Sequence, residues 1–387
     1  MRARRAAALA LASVALLAGC GSAAPATSGP AAEAPPAGSP FLATSLATAS
    51  GTWAVVVMGG SVATNDNFWQ LFVRPAGSST WKLVTPPGTA DNGGLVLADG
   101  GAQSLITGFR PSQYLAYTPL ILTRDGGQAW SSAGPLDGAL ADVPDALAAV
   151  PASRNLLALL TDGTAELAAP GYTSWTTLAT QRSLAATAAG RRCGLQDLTA
   201  VAYAPPETPL LGGSCGQPGT VGIFAGTGGT WHAAGPAIPA ALAGQDITVS
   251  RLTQTGQGLA ALLTVGIGPA ASLLAAWSAD GGGHWTLSPP LPLHGAALSS
   301  ASFGLSGTAA VITTANRGEI TASAGSSWRP LPPLPPGTAT LASGPGGAVD
   351  ALAVNGGTLT IWHLAPGATA WTRVQVIKVP IQYGSSS

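Results

Sequence analysis

Charged residues are scarce in this chain. Of its 387 residues only 8% are Asp, Glu, Lys or Arg, with 16 basic against 16 acidic. Charged amphipathic helices need more than that, so the composition points to many short, tightly paired strands. Beyond the first five residues the only basic run is Arg191-Arg192, which leaves nucleic-acid binding without an electrostatic basis. Four histidines, His232, His284, His294 and His363, are scattered without ligand-like pairing, so no metal site is argued and no cofactor is expected. No Gly-x-Ser-x-Gly turn marks a serine nucleophile. Three cysteines are too few for a disulfide-dense scaffold.

Those three cysteines separate by context. Arg2, Arg4 and Arg5 precede an apolar run over residues 6–17 that is too short to span a bilayer. It ends in Leu17-Ala18-Gly19-Cys20, which resembles the bacterial lipoprotein signal. The resemblance implies a signal peptide over residues 1–19 and lipid on Cys20, with a cell-membrane location on the extracytoplasmic face. An ordinary signal peptide with an incidental cysteine is the alternative. Residues 21–40 are almost wholly Ala, Pro, Gly and Ser with one charge, Glu33, and read as a disordered tether. Loss of the signal leaves 13 of the 16 basic residues against 16 acidic ones, a net charge of about −3. Cys193 and Cys215 remain, and in an exported protein they are expected to be oxidised together, free thiols being the alternative. Closing that loop contributes roughly 3 kcal/mol.

Glycine and tryptophan are plentiful, with 52 and 11 copies. Trp81, Trp130, Trp175, Trp231, Trp285, Trp328 and Trp371 each close a glycine-bearing turn, at spacings of 49, 45, 56, 54, 43 and 43 residues. That is the length of a four-stranded propeller blade. Thr123, Asp125, Gly127 and Trp130 fit Ser/Thr-x-Asp-x-Gly-x-x-Trp, as do Ser278, Asp280, Gly282 and Trp285. Thr321, Ser323, Gly325 and Trp328 keep the frame with Ser in the Asp place. The remaining turns keep only glycine and Trp.

This pattern resembles the Asp-box, or bacterial neuraminidase repeat, of sialidase-like propellers. An Asp carboxylate there accepts backbone N–H bonds, Gly supplies a positive φ, and Trp packs the hairpin against its blade. The fold class expected is all-β, a seven-bladed propeller of four-stranded antiparallel blades over residues 41–380, with a flexible tail at 381–387. In the fifth blade, strands read at 247–252, 259–265, 273–278 and from 285. The fourth blade reads at 198–204, 209–213, 221–225 and from 231. The charge-free stretch 258–277 is long enough to span a membrane, but Gly266-Ile267-Gly268-Pro269 divides it into two strand-length halves.

The resemblance implies that Asp-box turns lie opposite the ligand face. Two groups then become candidates for that face. Asn65, Asp66 and Trp69 lie in the second-to-third strand loop of blade one, and Arg110, Tyr114 and Tyr117 in that of blade two; together they suit a sugar or peptide patch, an ordinary polar surface being the plainer reading. Asp91, Asp145, Asp197 and Asp246 stand at the starts of inner strands and suit a cation or basic ligand, or bond the turns entering those strands.

Sialidase chemistry, as the family implies, needs three arginines, an acid/base Asp, and a Tyr activated by Glu. The sequence breaks that pattern. Residues 38–42 contain no Arg, and no Tyr lies between His284 and Trp328. Glu33 is in the tether, Glu166 is expected on a third strand, Glu207 on a first-to-second strand turn, and only Glu319 near the ligand face. No catalytic residue is assigned. The function expected is a non-catalytic, membrane-anchored, monomeric module for an unknown envelope protein or glycan. The alternative is a divergent glycoside hydrolase using Asp66, Asp91 or Asp197.

Overall fold

A computed structural model of the chain describes residues 44–59, 67–87, 94–109, 120–134, 144–320 and 325–380. Cys20, the tether and the tail at 381–387 lie outside the described residues.

The chain is a β-propeller. Its strands fall into seven successive four-stranded antiparallel meanders, numbered here as blades 1 to 7. Blade 1 is Thr44–Thr48, Gly51–Gly59, Asn67–Pro75 and Lys82–Leu83. Blade 2 is Leu95–Asp99, Leu105–Phe109, Leu120–Thr123 and Ser131–Ser132. Pro144–Ala149, Leu156–Leu160, Thr164–Ala168 and Thr176–Thr180 form blade 3. Blade 4 takes Leu195–Ala204, Thr208–Cys215, Gly222–Thr227 and Thr230–Ala233. In blade 5 the strands are Ile247–Thr255, Gly258–Val265, Ser272–Ser278 and Thr286–Leu287. Leu298–Phe303, Ala309–Thr313, Gly318–Ile320 and Arg329–Pro330 make blade 6, and Thr338–Ser343, Val349–Asn355, Thr358–Leu364 and Thr372–Lys378 make blade 7. The first strand of each blade lies innermost, beside its neighbours' first strands.

Stretch 258–277 is two paired strands of blade 5, registered from Leu259 with Ser278 to Val265 with Ser272. No helix among the described residues is long and apolar enough to cross a membrane.

The apolar core is divided into seven clusters, and each lies between two neighbouring blades. The repeat tryptophans pack at these boundaries, so each joins its own blade to the preceding one. Trp130 Nε1 donates to Val84 O at the end of blade 1, and Trp285 Nε1 to Ala234 O after blade 4. Trp328 Nε1 reaches Ser288 Oγ, and Trp371 Nε1 reaches Pro332 O. The turn glycines make this approach possible. A Cβ on Gly127 would sit 2.7 Å from Val84 Cβ, and one on Gly282 would sit 3.3 Å from Ala234 O, both at positive φ.

Both complete Asp-box turns have the same wiring. Thr123 Oγ1 donates to Asp125 Oδ1 and accepts from Gly127 N, while Gln128 N and Ala129 N donate to Asp125 Oδ1. Ser278, Asp280, Gly282 and the His284 amide repeat it. Bonds of this kind favour the ionised form. The Ala129 amide, followed by Thr123, lowers the pKa of Asp125, and His284, through its amide first, lowers that of Asp280. Ser323 lies outside the described residues.

Two short helices, α1 (Gln181–Ala185) and α2 (Ala188–Cys193), stand between blades 3 and 4, where the strand-based reading has none. Thr180 and Thr187 cap them by accepting from Ser183 N and Gly190 N. Cys193 ends α2 and is disulfide-bonded to Cys215 at the end of the second strand of blade 4.

The four described strands of blade 7 all come from residues 338–378, and among the described residues no strand is exchanged with blade 1. Val376 belongs to the fourth strand of blade 7, paired with Thr360. Side chains join the two blades instead. Asp350, 3% exposed, accepts from Arg74 Nη1 at 2.5 Å and Trp81 Nε1 at 2.9 Å, and contacts His363 Nδ1 at 2.8 Å. Gln375 accepts from Trp81 N and donates to Trp81 O.

A channel cavity around Arg251

Inner-strand geometry sets the candidate site. In blades 3 to 7 the register between first and second strands slips by one residue, at Asp145, Thr199, Ser250, Ser299 and Ala339. Each slip is a bulge, which turns side chains out of the regular alternation. The residue after each bulge is small in four blades: Ala146, Ala200, Ser300 and Thr340. In blade 5 it is Arg251.

The two sides of the channel differ. On the side of blades 6, 7 and 1, polar contacts knit the inner strands together. Thr44 Oγ1 donates to Ala301 O, Ser302 Oγ accepts from Ser45 N, and the Ser45 and Ser302 hydroxyls both donate to Leu341 O. Leu46 pairs in parallel with Phe303. On the other side a cavity of about 110 Å³ remains, lined by inner strands of blades 1 to 5.

Arg251 projects into this cavity. Its Nη2 donates to Ser45 O of blade 1 at 3.4 Å, and its Nε is closed off with no hydrogen-bond partner. No ion pair among the described residues includes it. Burial pushes its pKa down to about 10, which still leaves a full cation at neutral pH. The surrounding hydroxyls are engaged with protein: Thr199 Oγ1 donates to Val249 O, and Ser250 Oγ meets Thr264 Oγ1. Asp145 lines the same cavity and accepts from Thr161 Oγ1.

The site residues proposed from sequence separate here. Asn65, Asp66, Asp91, Arg110, Tyr114 and Tyr117 lie outside the described residues. Trp69 is core, not surface. It is 2% exposed, paired opposite Val57, and packed with Leu71 and Val73 between blades 1 and 2. Its period-two alternation with those residues was the legible signal. Asp197 and Asp246 are exposed near inner-strand starts and do not line the cavity with Asp145. Glu319 sits on the third strand of blade 6, paired with Val311 and Pro330, and therefore away from the inner strands; burial raises its pKa. Arg251 was missed because a lone Arg in a strand carries no motif.

Among the described residues no three His, Cys, Asp or Glu side chains gather as a metal site. No protein-family model matches the chain, and no curated protein does. The fold is similar to solved β-propellers. A protein from Lactobacillus plantarum aligns at TM-score 0.51 and 11% identity, over 85% of this chain and 97% of that one. A candidate 6-phosphogluconolactonase from Bacteroides uniformis aligns at 0.50 and 13%, with the same coverage. YCF48 from Cyanidioschyzon merolae aligns at 0.49 and 12%, over 84% and 95%. At such identities the likeness is one of fold.

Proposed function

We propose that the protein is a non-catalytic binding module held on the extracytoplasmic face of the cell membrane by lipid on Cys20. Residues 21–40 tether a monomeric, seven-bladed propeller, and the partner is an envelope protein or glycan. The channel cavity carries the binding reading. It is a partly enclosed space walled by five blades, with a cation that has no ion-pair partner among the described residues. Among the described residues Asp145 is the one carboxylate lining it, whereas glycosidases position two across the scissile bond. The N-terminal motif ending at Cys20 supports the anchor.

Full-length protein is expected to bind an envelope protein or glycan saturably and to leave a panel of fluorogenic glycosides intact. Turnover that disappears in Asp145→Ala or Asp197→Ala would overturn the non-catalytic reading. Cys20→Ser is expected to release the protein to the medium or leave it unprocessed. A processed Cys20→Ser protein retained in the membrane fraction would contradict the anchor.

A further inference from the structure

We propose that Arg251 anchors the carboxylate of a small ligand in the channel cavity, an inference that rests on the binding-module reading. Its starting point is an imbalance. Arg251 keeps some exposure, but its Nε is closed to water, and withdrawing a guanidinium N–H from water is costly unless a hydrogen bond replaces the lost hydration. Here the replacement is incomplete: one long contact to Ser45 O, an orphaned Nε–H and no ion pair among the described residues.

The side chain is also singular in its fold position. Ala146, Ala200, Ser300 and Thr340 occupy the corresponding place in blades 3, 4, 6 and 7, so packing at this level of the inner strands is met by small residues. Arg251 adds charge where the geometry asks only for a short side chain, and the small neighbours in blades 3 and 4 keep the cavity open beside it.

The ligand class follows from the other groups present. A planar guanidinium matches a carboxylate through two parallel N–H···O bonds. Because Nε is closed to solvent, an entering carboxylate meets the Nη end first, and a turn of the guanidinium then presents its Nε edge. The small volume suits a chain end or a single acidic unit.

Calorimetric titration of the full-length protein separates the sources of such a carboxylate. N-acetylglycine against its amide represents a peptide end, and glucuronate against glucuronamide an acidic sugar. At least one acid is expected to bind saturably while its amide does not, and Arg251→Met is expected to weaken that binding roughly tenfold to hundredfold. Failure of both acids, equal binding of acid and amide, or unchanged affinity in Arg251→Met overturns the proposal. Should Arg251→Met not fold, the wild-type Arg251 Nε–H resonance, assigned through Arg251→Lys, serves instead. It should move with the acid and not the amide; a stationary resonance overturns the proposal. If both acids fail while the protein still binds an envelope component, this inference falls and the binding-module reading stands.

Discussion

Each repeat tryptophan packs at the boundary with the blade before its own, so its value depends on how completely that neighbour encloses it. Trp81 is 2% exposed and bonded to Asp350, whereas Trp285 is only partly buried. Trp81→Ala is expected to cost about 3–5 kcal/mol, and Trp285→Ala about 1–3, in denaturant unfolding. Equal losses would contradict the inter-blade role. The Asp-box carboxylates act more locally. The folded pKa of Asp280 lies below its ordinary value of 3.8. Its stabilisation is therefore complete above that value and is lost as pH falls below it toward the folded pKa. The melting-temperature gap between wild type and Asp280→Asn should be steady near pH 6 and shrink below about pH 4. The carboxylate is exposed, so the gap is small, and a pH-independent gap would refute the linkage. Asp, Gly and Trp at fixed spacing made these turns legible. Which blade each Trp touches was not, because spacing along a chain carries no direction across it.

At the scale of elements, strands were readable wherever β-type runs alternated with Gly and Pro turns. The helical insert was less so. Its trace is the 56-residue interval from Trp175 to Trp231, the longest of the six. α1 and α2 consume the surplus, aided by their threonine caps and Ala-rich sequence. The disulfide then ties the end of α2 to blade 4 across a separation of 22 residues. Loop closure on that scale stabilises by roughly 3 kcal/mol, the amount Cys215→Ala should lose in denaturant unfolding. The same titration under reducing conditions should bring wild type to the variant's midpoint. A wild type unaffected by reductant would show that the bond contributes little.

For the whole molecule, the Asp350 clasp adds a polar link to the apolar cluster between blades 7 and 1. Its charge is shielded from water and shared by Arg74, Trp81 and His363. Removing it strands a largely buried guanidinium, so Asp350→Ala is expected to destabilise by about 3–5 kcal/mol. The exposed Asp197→Ala should stay within about 0.5 kcal/mol of wild type. A neutral Asp350→Ala would mean that apolar packing between blades 7 and 1 closes the ring unaided. The clasp was not readable beforehand, because Arg74 and Asp350 are 276 residues apart and neither lies in a motif.

The sequence by itself determined the all-β propeller, its turns and the disulfide partners, because these follow from local spacing, turn chemistry and a count of cysteines. Only the tertiary structure decided that tryptophans join consecutive blades, that Asp350 links blades 7 and 1, and that Arg251 stands in the channel with no ion-pair partner among the described residues. Those facts depend on which distant residues become neighbours once seven similar units are bent into a ring, and similar units leave no trace of that in their order.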